Sequence, residues 1–173
     1  MKKLSILVIA FLFIVAIGNA QDYTDRDSFK IGVHGAIPLG DASEISNFGL
    51  GLDISYNYGV SKVFDLGLAT GFTNAFINTD DDAVENLTAF ENVQFLPLAG
   101  VLRIYPHVRS RTNFGVDLGY ALGIDEGNEG GFYYRPTLAI NVNRGTEVTF
   151  SYTGVSLENS SWNTANLGLV FGF

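Results

Sequence analysis

The stretch FGLGLDISYNY, residues 48–58, alternates without a slip. Phe48, Leu50, Leu52, Ile54, Tyr56 and Tyr58 share one face of an extended chain, and Gly49, Gly51, Asp53, Ser55 and Asn57 share the other. Successive side chains of a strand point to opposite faces, so this period of two predicts a strand with one apolar face. The pattern returns in FDLGLATGF (64–72), in FGVDLGYAL (114–122) and in the final NLGLVFGF (166–173). Eight such segments are expected, at 28–39, 48–58, 63–76, 93–105, 112–123, 132–143, 146–156 and 164–173.

A soluble sandwich also alternates, with its apolar face in the core. The second face separates the two cases, because a water-facing surface should be rich in charge. Here that face carries Gly, Ala, Ser, Thr and Asn with isolated charges. Small residues suit the crowded inside of a narrow barrel, where eight strands leave space only for side chains. Ten residues span about 33 Å; tilted near 45°, they cross an apolar band of about 25 Å. The expected fold is therefore all-β: an eight-stranded antiparallel up-and-down transmembrane β-barrel.

The first twenty residues, MKKLSILVIAFLFIVAIGNA, read as a cleaved secretory signal peptide. Lys2 and Lys3 form its basic start, Leu4 to Ile17 its apolar run, and Gly18–Ala20 its small-residue cleavage site. Residues 21–173 would form the barrel domain. The chain has no cysteine, which rules out disulfides, thiolate metal sites and a cysteine-borne lipid anchor. Without the signal there are 8 basic and 18 acidic residues, a net charge of −10. That balance argues against nucleic acid as a partner.

The isolated charges Lys30, Asp53, Asp65, Asp117, Arg135 and Glu147 all fall on the small-residue faces. Arg103 fixes the phase of LPLAGVLRI (96–104): an arginine facing mid-bilayer would cost about 2–4 kcal/mol. If it points inward, Leu96, Leu98, Leu102 and Ile104 point outward. Three bases and four acids then share the interior, and buried charges need partners. An interior polar network is expected, with His34 as an additional member.

The connections alternate in length. The long ones, 40–47, 77–92, 124–131 and 157–163, hold eleven acids and no base. The short ones, 59–62, 106–111 and 144–145, hold Lys62, Arg109, Arg111 and Arg144 and no acid. Outer-membrane barrels have long extracellular loops and short periplasmic turns, and basic turns suit an anionic inner leaflet. Aromatic girdles are expected at both rims: Phe29, Tyr58, Phe64, Phe114 and Phe173 at the short-turn rim, and Phe48, Phe72, Phe95, Phe132, Tyr134 and Trp162 at the other.

The signal, the eight alternating segments, GGFYYRPTLAINVNRGTEVTFSY (130–152) and the terminal aromatic of NLGLVFGF together make the chain resemble the small outer-membrane protein β-barrel domain family of Gram-negative bacteria. The resemblance covers residues 21–173. It implies localisation in the cell outer membrane and contact with outer-membrane lipid. It also implies an assembly signal at Leu169, Phe171 and Phe173, read by the barrel-assembly machinery. No catalytic signature comes with it.

The only histidines are His34 and His107, and a zinc site wants three or four ligands. No serine stands beside either histidine in sequence, so a nucleophile–base pair is not expected. In TDDDAVENLTAFEN (79–92), Asp80, Asp81, Asp82 and Glu85 could take a hard divalent cation or a surface partner. The spacing lacks the dedicated calcium-loop pattern, so the plainer reading is a solvated acidic loop. GNEGG (127–131) follows no strand-to-helix unit and is not a phosphate cradle. The expectation is a monomeric, non-enzymatic barrel without cofactor or metal, presenting acidic loops to an unknown extracellular partner. Two alternatives stand beside it: a narrow pore or path for small apolar compounds, and a soluble secreted lipid-binding barrel.

Overall fold

The computed structural model describes residues 28–77, 92–107, 110–125, 128–143, 145–158 and 160–173. The expected signal peptide at 1–20 and the acidic Asp80, Asp81, Asp82 and Glu85 lie outside the described residues. The strands are β1 (Ser28–Leu39), β2 (Ser46–Gly59), β3 (Phe64–Ile77), β4 (Val93–Ile104), β5 (Thr112–Gly123), β6 (Gly131–Asn143), β7 (Thr146–Ser156) and β8 (Ser161–Gly172). One short helix, α1 (Asp41–Ile45), sits between β1 and β2, where only a loop was expected. Its five residues are too few for a periodic pattern to show.

All eight strands form one closed antiparallel barrel in sequence order, and β1 pairs with β8 to complete it. Closure leaves no edge with unpaired backbone groups, the condition for crossing a bilayer with strands. The seam is well zipped: ladder pairs run from Lys30–Gly172 to Leu39–Asn163, and Phe173 N–H donates to Phe29 O at 2.9 Å beyond them. The short β2–β3 turn is held by Ser61, whose Oγ accepts from Val63 N–H at 3.2 Å and Phe64 N–H at 3.1 Å. At the other end the chain leaves β1 through Gly40, whose φ of 59° falls in the left-handed region that favours glycine.

The two faces separate as the alternation dictates. Outward residues include Ile31, Val33, Leu50, Leu52, Leu66, Leu98, Leu118, Phe150, Leu167 and Leu169, all exposed; Leu68 is 73% exposed. Water would not tolerate so continuous an apolar surface on a monomer. Bilayer hydrocarbon is its matching solvent. A soluble lipid-binding barrel would need the reverse arrangement, with charge outside and an apolar cavity within.

Two of the expected girdle residues do not belong to the girdle. Phe95 and Trp162 are buried, and they point into the lumen. The reason is phase. Phe95 shares the parity of Arg103 on β4, and Trp162 shares that of Asn166 and Val170 on β8, which begins at Ser161 rather than at residue 164.

Candidate functional site in the barrel lumen

The lumen is built in two halves. Toward the short turns it holds charge. Lys30 Nζ on β1 donates to Glu147 Oε1 on β7 at 2.6 Å. Arg103 Nη1 on β4 donates to Asp117 Oδ1 on β5 at 2.5 Å and to the Leu102 carbonyl at 3.2 Å. Arg135 on β6 reaches across the lumen to Asp53 on β2, Nη1 to Oδ1 at 2.6 Å and Nη2 to Oδ2 at 3.0 Å. This fork-to-fork geometry is the strong form of a charge-assisted bond. His34 Nδ1 joins the same carboxylate at 2.8 Å. Asp65, 1% exposed, stands directly opposite Arg103 in the β3–β4 ladder.

Small residues make this packing possible. A Cβ at Gly115 would lie 2.5 Å from Arg103 Cδ and Nη1. A Cβ at Gly51 would overlap the His34 ring. The glycines of the inner face thus leave space for the long charged side chains facing them.

Toward the long loops the lumen is closed by apolar groups. Phe95, Tyr133, Val155 and Trp162 pack with Ala75, Ala99, Ala121 and with Ala42 of α1. The Phe95 and Trp162 rings are 6.0 Å apart at 48°. Sequence reasoning missed this plug. The signal was present all the same: carrying the Arg103 and Arg135 phases along β4 and β6 would have turned Phe95 and Tyr133 inward.

Two small cavities lie in this packing. One of about 40 Å³ lies among Lys30, Arg103, Asp117, Arg135 and Glu147. Another of about 20 Å³ lies between His34, Thr73, Tyr133 and Trp162. The structure also brings Thr73 Oγ1 to 3.5 Å from His34 Nε2. Asp53, His34 and Thr73 therefore stand in the order of a carboxylate, a base and a hydroxyl. The sequence could not show this, because the three lie on different strands. The constellation is unsuited to catalysis: Arg135 already holds Asp53, the Thr73 contact is long, and a cavity of about 20 Å³ admits no substrate. Among the described residues, no three His, Asp or Glu side chains form a metal-binding group.

No protein-family profile matches the chain, and neither does any curated protein. Solved structures do. The outer-membrane protein Ail of Yersinia pestis in a phospholipid bilayer nanodisc superposes with a TM-score of 0.60 at 13% identity, covering 86% of this chain and 100% of that one. The fold is that of a small outer-membrane β-barrel. The N-terminal β-barrel domain of Pseudomonas aeruginosa OprF matches this barrel with a TM-score of 0.56 at 17% identity, over 85% of this chain and 98% of that one. Ail in complex with the heparin analogue sucrose octasulfate gives 0.55 at 14% identity, over 85% and 97%.

Leu169 and Phe171 are on the outer face of β8, away from the lumen, Phe173 follows the strand's last residue, and all three are exposed. The barrel joins β8 to β1 through these residues' backbone: Leu169 pairs with Val33 and Phe171 with Ile31.

Proposed function

We propose that this chain resides in the bacterial outer membrane as a plugged, non-enzymatic barrel whose work is done by its long acidic loops. One observation carries the reading: the outer wall is apolar all round, while the lumen is closed by ion pairs at one end and rings at the other. A wall of that kind holds the strand ends at the membrane surface, and the loops that such a scaffold carries are where binding residues concentrate. Ail is named an attachment invasion locus protein, which favours a surface-interaction role here. The charge, however, argues for a different partner. Loops holding eleven acids and no base would repel a polyanion like the heparin analogue bound by Ail, and a basic protein surface fits them better.

The terminal stripe Leu169, Phe171 and Phe173 would serve the barrel-assembly machinery, since β8 is the strand that closes the barrel. Heat-modifiability tests the whole reading. Carbonate-washed outer membranes are run unboiled and boiled on a denaturing gel. The protein is expected to stay with the membrane and to shift on boiling. A soluble band without a shift would overturn the proposal. Planar-bilayer recording should show negligible conductance; large, stable, ohmic steps would move the function to transport.

A further inference from the structure

The outer wall is not uniformly convex. A groove of about 640 Å³ crosses it from β7 to β3. One bank is the ladder row Val148, Leu169, Val33, Leu52 and Phe72. The other is Leu167, Gly35, Leu50 and Asn74. Gly35 points outward, as Val33 and Ile37 do, and the missing side chain is what sinks the floor. A Cβ there would meet only the Phe48 ring, at 3.5 and 3.7 Å, which is ordinary contact. The fold therefore does not require glycine at this position.

The groove climbs as it crosses. Val148 lies eight positions from Ser156, the long-loop end of β7. Asn74 lies three positions from Ile77, the long-loop end of β3. The deep end is thus wholly apolar, and the shallow end finishes at a carboxamide. Gln94 Nε2 donates to Asn74 Oδ1 at 2.9 Å. That bond uses the Asn74 oxygen and leaves its Nδ2 donors for another acceptor. Four interstrand steps of about 4.8 Å give a length of about 19 Å. At about 1.3 Å per methylene, set by a carbon–carbon bond of about 1.5 Å, this is the length of about fourteen carbons.

We propose that this groove holds one acyl chain of a bilayer lipid, lying obliquely with its carbonyl end accepting from Asn74. The inference rests on the membrane-barrel reading and adds a defined lipid site to it. The occupant follows from the setting. The groove lies on a wall that faces hydrocarbon, it is apolar along its length, and its polar end lies toward the membrane surface, where a lipid carries its carbonyl.

The test is native mass spectrometry of the folded barrel released from nanodiscs of dimyristoylphosphatidylethanolamine. The unaltered barrel should retain one phospholipid. Gly35→Leu fills the floor and should lower the affinity for that phospholipid about tenfold, equivalent to about 1.4 kcal/mol. Asn74→Leu should lower it by a smaller factor. Gly100→Leu is the control: Gly100 is also exposed on the outer wall, where a Cβ would meet only the Leu118 carbonyl at 3.8 Å, and it lies outside the groove. It should keep the lipid. Each variant is run unboiled and boiled, so a failure of the barrel is seen separately from a failure of the site. A heat-shifting Gly35→Leu barrel that keeps its lipid would overturn the proposal, as would an unaltered barrel that carries no lipid or has the mass of two chains.

Discussion

The two halves of the lumen solve one packing problem in different ways. Around Lys30, Arg103 and Arg135 the space is filled by paired charge, and around Phe95 and Trp162 it is filled by rings. The difference matters when a side chain is removed. Losing a ring leaves a void, whose cost grows with its volume. Losing one charge leaves its partner buried and uncompensated, which is the heavier penalty. The ionic half is therefore the more brittle, although a buried ion pair itself adds little over a well-packed apolar substitute.

Arg135→Met should have the largest effect. It strands Asp53, which Arg135 holds with two bonds, and should destabilise the barrel by about 3–5 kcal/mol. Urea unfolding in phospholipid vesicles measures this. Adding Asp53→Asn to the same chain should restore part of the loss. If the double variant is no better than the single one, the brittleness does not come from the stranded charge.

Trp162→Ala should cost about 3 kcal/mol, through the cavity left beside Phe95. Combined with Lys30→Met, near the opposite end of the lumen, the losses should add within about 0.5 kcal/mol. A larger coupling would mean that the two halves act as one body.

The sequence reads these positions unequally well. Alternation and small residues show which face of each strand turns inward, so the inward placement of Asp53, Asp117 and Arg135 was legible. It does not show where around the barrel a long side chain reaches. Asp117 and Arg135 are ladder partners, yet Arg135 pairs with Asp53, 82 residues away across the lumen, and Asp117 pairs with Arg103. Trp162 reads less well for another reason. Its position near a strand end suggested a girdle, and the parity shared with Asn166 had to be set above that.

On the outer wall the comparison becomes lipid against lumen. Leu68→Arg puts a charge on the hydrocarbon side and should cost about 2 kcal/mol or more, with lower yield in the membrane fraction. Ala69→Ser, one residue along and facing the lumen, should leave folding unchanged. Equal tolerance of the two would contradict the phase of β3.

The smallest expected effect lies at the seam between the halves. His34 touches the ionic group through Asp53 at 2.8 Å and Thr73 at 3.5 Å, and it also lines the cavity beneath Trp162. If Thr73 is only a weak neighbour of the ring, Thr73→Val keeps the shape and loses one long hydrogen bond. The change in unfolding free energy should then stay below about 1 kcal/mol. A loss as large as that of Trp162→Ala would show that the Asp53–His34–Thr73 line ties the halves together. In that case the lumen would be a single hydrogen-bonded column, and the ring plug would depend on the charge beneath it.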